Sequence, residues 1–171
     1  MSAEETPTSG PAANAWDGGA LNMMEALPDL FANFFAFFRP AHTEGVAPAR
    51  IKEIARIKIA AMNECDTGLF ARYAQAAQQG LDEDTIAQIH RPEGERNLEP
   101  REDLAVRFAE KLATDFRRVD EPFVRELRGH FSDAEIAELG LMIGQYMALG
   151  RMLVISGGHH AACEIYTPPD Y

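Results

Sequence analysis

The chain has 171 residues, 46% hydrophobic and 25% charged, which suits one soluble globular domain with a real core. Its net charge of -11 argues against the basic face that a phosphate backbone or an anionic membrane requires, so neither nucleic acid nor membrane is expected as a partner. Two cysteines make neither a disulfide framework nor a zinc cluster, and a reducing, cytoplasmic setting is expected.

Residues 1–24 are polar, acidic and rich in Pro, Gly and Ala. They lack a basic start and an apolar core, so a flexible arm is expected there rather than a signal peptide, with Trp16 as its candidate anchor. A helical domain is expected over 25–158 and a polar tail over 159–171. Leu27, Leu30, Phe31, Phe34, Phe35 and Phe38 recur on one helical face, with Pro28 in the first turn and Pro40 as the expected end. That stripe predicts a core or subunit contact. A second helix is expected from Pro48 to about Asn63. It has little polar face and reads as mostly buried, so Glu53 must be exposed, paired with a cation such as Arg56, or set in a site.

A third helix is expected from Asp66, its N-cap, to a stop at Gly80, with Leu69, Tyr73, Ala76 and Ala77 inward. Asp82 caps a short fourth helix ending near His90, and a polar loop leads to Pro100. The fifth helix buries Leu104, Ala105, Phe108 and Leu112. Asp120 opens the sixth. Ser132 and Glu135 form a capping box for the seventh, which runs to about Ile155 and ends at Gly157-Gly158. Gly140, Gly144 and Gly150 are expected to admit a neighbouring helix closely. The stretch from Leu139 to Ile155 reads as too short for a bilayer span. No strand is expected. His42, His90 and His130 fall at element ends, where surface or capping positions are the expectation.

Cys65 carries the most pointed chemistry. A thiol at a helix start meets the positive end of the dipole, which favours the nucleophilic thiolate by about 0.3–1 kcal/mol. Glu64 and Asp66 act against it. The competing reading is a small buried apolar residue. His159, His160 and Cys163 have metal-ligand chemistry, but one helical turn in a polar tail is thin support, so neither metal nor cofactor is expected.

The run PARIKEIARIKIAAMNECDTGLFARYAQAAQQGLDEDTIAQI, from Pro48 to Ile89, resembles the carboxymuconolactone decarboxylase / alkylhydroperoxidase D-like family, as does FSDAEIAELGLMIGQYMALGRML. The order of elements from about Leu27 to Ile155 fits too. The resemblance implies an all-α domain of about seven helices that assembles into trimers, hexamers or related homo-oligomers. Peroxidase members of the family carry a Glu, eleven residues, Cys-x-x-Cys, three residues and a His. Glu53 and Cys65 match the first two positions, and Asn63 is also family-like. Gly68 stands at the second cysteine, Arg72 at the histidine, and Thr67 where some members have another histidine.

A dithiol peroxidase needs a second thiol to resolve the sulfenic acid, and Gly68 has none. Arg72 stays protonated and cannot relay a proton, though it can hold an anion. The implied site is Cys65 with Glu53 and Arg72. The implied function is a peroxidase-related thiol oxidoreductase with the dithiol mechanism impaired, acting on a small molecule and resolved by an external thiol or Cys163. The alternatives are a non-redox lyase or lactone-processing enzyme, with Glu53 as acid or base and Arg72 as carboxylate clamp, and a non-catalytic oligomeric binding protein.

Overall fold

The computed structural model describes residues 23–156; the readings placed on 1–22, with Trp16, and on 157–171, with Gly157-Gly158, His159, His160 and Cys163, lie outside the described residues. Among the described residues the regular structure is all helical: α1 (Met23–Ala26), α2 (Pro28–Thr43), α3 (Ala49–Met62), α4 (Asp66–Phe70), α5 (Ala74–Gln78), α6 (Glu83–Ile89), α7 (Pro100–Thr114), a 3-10 turn (Phe116–Arg118), α8 (Glu121–Arg128) and α9 (Asp133–Ser156). The expected all-α class is present, and so are the expected caps. Asp82 accepts from Thr85 N–H at 2.8 Å, Asp120 accepts from Phe123 N–H at 3.0 Å, and Ser132 exchanges bonds with Glu135.

The central helix is α3, which packs against α4, α5, α6, α7 and α9. It has three working faces. Ile51, Ala55 and Ile59, spaced by four, join Leu104, Phe108, Leu127, Leu139 and Ile143 in the larger apolar cluster. Ile54 and Ile57 join Ala76, Ile86, Ile89 and Val106 in the smaller one. Each fully buried isoleucine contributes about 1.5–3 kcal/mol of transfer free energy. The third face holds Glu53, Arg56, Ala60 and Asn63, at helical spacing, and turns toward α2, α9 and the chain between α4 and α5.

Two boundaries depart from the sequence expectation. α2 does not end at Pro40 but continues to Thr43, and Glu44 N–H closes it on the Pro40 carbonyl at 2.8 Å. A proline inside a helix forfeits a backbone bond. The extra turn is offset because it buries His42 and presents the Ala41 carbonyl to Lys52 Nζ at 3.0 Å. The single third helix is instead α4 and α5 with an extended break at 71–73. Side chains of α3 take the backbone groups there. Arg56 donates to the Gly68 carbonyl at 2.6 Å and the Ala71 carbonyl at 2.7 Å, and Tyr73 N–H donates to Glu53 at 3.3 Å.

The corner between α3 and α4 is a Schellman turn. Glu64 N–H bonds the Ala61 carbonyl at 3.1 Å and Cys65 N–H bonds the Ala60 carbonyl at 3.0 Å, with Glu64 left-handed at φ 53°. Cys65 then passes its own carbonyl to Leu69 N–H at 3.0 Å, so Cys65 rather than Asp66 occupies the cap position of α4.

Candidate functional site

The third face of α3 meets three other pieces of chain at one pocket. It is lined by Arg56, Ala60 and Asn63 of α3, by Cys65, Gly68, Ala71 and Tyr73 of the turn and break that follow, and by Tyr146, Leu149, Gly150 and Leu153 of α9. Its empty space is about 460 Å³ and partly open to solvent, and its walls are almost wholly apolar. Cys65 is a reduced thiol, 3% exposed, and forms part of that wall.

Beneath the pocket lies a buried polar network. Glu53 is 0% exposed and is gripped by Arg56, with Nε to Oε2 at 2.6 Å and Nη2 to Oε1 at 2.7 Å. Burial pushes the Glu53 carboxyl up, but the charge and hydrogen bonds of Arg56, with help from His42, outweigh it and hold the group at about 2. Arg56 is pushed in the same sense: burial opposes its charge, Glu53 overrides, and it is firmly protonated. With the bonds to Gly68 and Ala71, four of its five N–H groups are engaged, and the remaining one on Nη1 has no acceptor among the described residues. Its guanidinium sits 5.7 Å from the Tyr73 ring centre and 5.9 Å from that of Tyr146.

His42 completes the network from α2. Its ring is tilted against Tyr73 at 3.7 Å between centres. Its Nδ1 is 3.0 Å from the Tyr146 hydroxyl, and that hydroxyl is 3.2 Å from the Tyr73 hydroxyl. Its Nε2 lies 3.5 Å from Glu53 Oε2, an ion-pair distance too long for a hydrogen bond of full strength. Burial, first, and the cations Arg56 and Lys52 lower the His42 pKa despite Glu53, so the ring is neutral at pH 7. The Tyr146 phenol is raised well above its ordinary value, by burial first and by Tyr73 next.

Of the residues singled out in the sequence, Cys65 lines the pocket and Glu53 supports it from below, paired with Arg56 as anticipated. Arg72 is elsewhere. Its guanidinium pairs with Glu83 at 3.0 Å and caps the carbonyls of Leu69 and Ala71, so it does not meet Glu53. The cation at the pocket is Arg56. Gly68 does face Cys65: a Cβ there would lie 3.6 Å from Sγ, but also 2.8 Å from the Ala60 Cβ. Asn63 spans the corner, donating to the Tyr146 carbonyl at 3.1 Å and accepting from Arg151 at 3.1 Å.

Sequence reasoning missed His42 and Tyr146 as site residues. His42 was hidden by the false helix end at Pro40. Tyr146 sits on an apolar helix, where a single tyrosine carries no signal until the fold brings it to another polar group. Among the described residues no cluster of three metal-ligating side chains occurs.

No protein-family model matches the sequence, and no curated protein matches it. Among solved structures the chain is similar to a protein of unknown function from Agrobacterium tumefaciens that bears the provisional name antioxidant defence protein AhpD. The TM-score is 0.63 and the identity 19%, over 89% of this chain and 99% of that one. At that identity the likeness speaks for architecture alone. The chain therefore has an alkylhydroperoxidase D-like, all-α fold.

Proposed function

We propose that this protein is a peroxidase-related thiol oxidoreductase that works with one cysteine, Cys65. The observation that carries the reading is the pocket itself. Cys65 stands in a small apolar chamber together with a guanidinium and two tyrosines, while the facing position, Gly68, has no side chain. The similar Agrobacterium structure, by its provisional name, leans the same way. The chemistry is a two-electron exchange. The Cys65 thiol attacks a hydroperoxide ROOH, an S–O bond forms as O–O breaks, and Cys65 sulfenic acid and ROH result. An external thiol then displaces water to give a mixed disulfide, and a second thiol releases the oxidised pair and restores Cys65. Gly68 supplies no internal resolving group.

The lyase or lactone-processing alternative needs Glu53 to exchange a proton and Arg72 to hold the substrate. Glu53 is locked in a bidentate pair and Arg72 is engaged by Glu83 and the Leu69 and Ala71 carbonyls, so the thiol reading is the better supported.

The test is to expose the full chain carrying Cys163→Ser to tert-butyl hydroperoxide and trap sulfenic acid with dimedone. Label on Cys65 in the native protein, with little turnover by a dithiol reductant alone, is the expected result. Failure to label Cys65 until the protein is denatured would return it to the role of a buried structural cysteine.

A further inference from the structure

One wall of the Cys65 pocket is the piece of chain from Asp66 to Arg72, which runs through α4 into the break. Gly68 and Ala71 line the pocket from it, while Asp66 and Phe70 are exposed, Phe70 to 80%. Among its described side chains none is buried. The chain at either end is anchored. Cys65 is 3% exposed and its N–H is bonded to the Ala60 carbonyl at 3.0 Å. The Tyr73 ring is set against His42 at 3.7 Å between centres. A short piece with little burial, held between two fixed points, is where a fold opens at least cost.

Arg56 fastens this piece to α3. One guanidinium donates to the Gly68 carbonyl at 2.6 Å and to the Ala71 carbonyl at 2.7 Å, while Glu53 grips its other edge. Bonds from a charged donor are roughly twice as strong as neutral ones. The outer tie, from Arg72 to Glu83, contributes little, because Glu83 is 76% exposed. Arg72 also bonds the carbonyls of Leu69 and Ala71, inside the same piece, and so braces it to move as a unit.

We propose that residues 66–72 are a lid on the Cys65 pocket, latched by Arg56, which must lift before an external thiol reaches Cys65 sulfenic acid. The proposal rests on the thiol-oxidoreductase reading above. A small hydroperoxide enters the closed pocket, whose empty space of about 460 Å³ is partly open to solvent. Resolution needs more room. The thiol must meet sulfur in line with the S–O bond, and the sulfenic oxygen now takes up part of the chamber. Gly68 stands against that sulfur, since a Cβ there would lie 3.6 Å from Sγ. Lifting the lid clears the Gly68 side. The thiol sulfur then bonds to Cys65, the S–O bond breaks, and the oxygen leaves as water with the thiol proton. Arg56 acts through the lid and is a positioning residue. The device sets an order: a hydroperoxide is admitted at any time, a bulky thiol only during an opening.

The experiment uses the full chain with Cys163→Ser. Cys65 sulfenic acid is formed with tert-butyl hydroperoxide and mixed with rising glutathione or, separately, coenzyme A. Its loss should rise to a ceiling that is the same for both thiols, because opening limits both. Alkylation of reduced Cys65 by fluorescein-5-maleimide should reach that ceiling too, with no oxidation involved. Arg56→Lys keeps a cation for Glu53 but loses the fork. It should raise the ceiling about tenfold, the worth of one charge-assisted hydrogen bond, and speed hydrogen exchange in 66–72 but not in α7. Glu83→Gln should leave the ceiling within about twofold. If Arg56→Lys does not fold, the parent decides, by its common ceiling and by faster exchange in 66–72 than in α7. Rates proportional to thiol at every concentration, or ceilings that differ between the two thiols, would overturn the lid. An equal rise in Glu83→Gln would overturn Arg56 as its latch. A maleimide ceiling in a parent that forms no sulfenic acid would remove the thiol-oxidoreductase reading and leave the lid standing.

Discussion

Protonating His42 places a positive charge in a buried slot that already holds Arg56 and Lys52. The folded chain therefore binds that proton more weakly than the unfolded chain does. Stability should begin to fall as pH drops below about 6.5, the ordinary histidine value, and should go on falling until the lowered folded value is reached. Glu53 acts lower on the scale: its contribution is present above about 4.5 and is lost as pH falls toward about 2. Urea midpoints measured across this range should show two descending limbs. His42→Gln should flatten the upper one and leave the lower, and an unchanged upper limb would assign it to another group. The same scale decides how a second thiol could be introduced. Gly68→Cys alone would drive its Cβ to 2.8 Å from that of Ala60, and overpacking of this kind costs about 1–3 kcal/mol. Paired with Ala60→Gly, the new side chain should close a disulfide with Cys65, seen as loss of reactive thiol with mass reduced by two hydrogens. A double variant that folds with both thiols free would show that the α3–α4 corner holds them apart.

Helix ends carry more of the site than helix middles do. The α3 terminus uses Glu64 in a left-handed conformation that favours glycine, so Glu64→Gly should relieve strain and stabilise the fold by about 1 kcal/mol, read as a higher thermal midpoint. An unchanged or lower midpoint would mean that the Glu64 side chain contributes a contact worth as much. Of the three glycines read as notches on the last helix, Gly150 fits: a Cβ there would lie 2.5 Å from Asn63 Nδ2. Gly140 would make only ordinary contact with Phe108, and Gly144 meets open space.

The helices themselves were legible because apolar spacing and caps are local. Ile51, Ala55 and Ile59 announce a buried face, and Asp82, Asp120 and Ser132 announce starts. The α4–α5 break was not legible, because its cause is long-range: Arg56 and Glu53 take the backbone groups that would have continued the helix. The site was half legible for the same reason. Glu53 and Cys65 follow from one stretch of sequence, while His42 and Tyr146 come from helices far apart in the sequence and meet only through packing.

At the level of the whole molecule, the outer surfaces of α2 and α9 expose several large apolar side chains. Leu27, Leu30, Phe37 and Leu141 are each more than half exposed. A groove with about 610 Å³ of empty space runs between the two helices, lined by Leu30, Phe31, Phe34, Ala148, Leu149 and Met152. The apolar part of α9 extends beyond the Leu139 to Ile155 stretch that reads as too short for a span. Asp133–Ile155 is 23 residues and apolar enough to cross a bilayer, so length does not argue against a span. We propose that a second copy covers this face, in a trimer, hexamer or related assembly, because α2 brings aromatic side chains to α9 along the same groove. Light scattering at micromolar concentration should give an oligomer, and Met152→Asp should shift it toward monomer. A parent that is monomeric in buffer and sediments with lipid vesicles would assign the face to lipid instead.

The loop between α2 and α3 looks loose from outside, with Val46 mostly exposed, yet its amides are not free. Glu138 reaches it from α9: Oε2 accepts from Val46 N–H at 2.7 Å and Ala47 N–H at 2.8 Å, while Oε1 is held by buried Lys52 of α3. Gly45 makes room for that carboxylate, since a Cβ at its φ of +98° would fall 2.0 Å from Oε1. In hydrogen–deuterium exchange this loop should therefore behave as part of the core. The Val46 and Ala47 amides should retain protium as long as those of α3, and Glu138→Gln should release them to the rate of an open loop without touching the helix. The turn that carries His42 inward would then be anchored from the neighbouring α9, far along the chain.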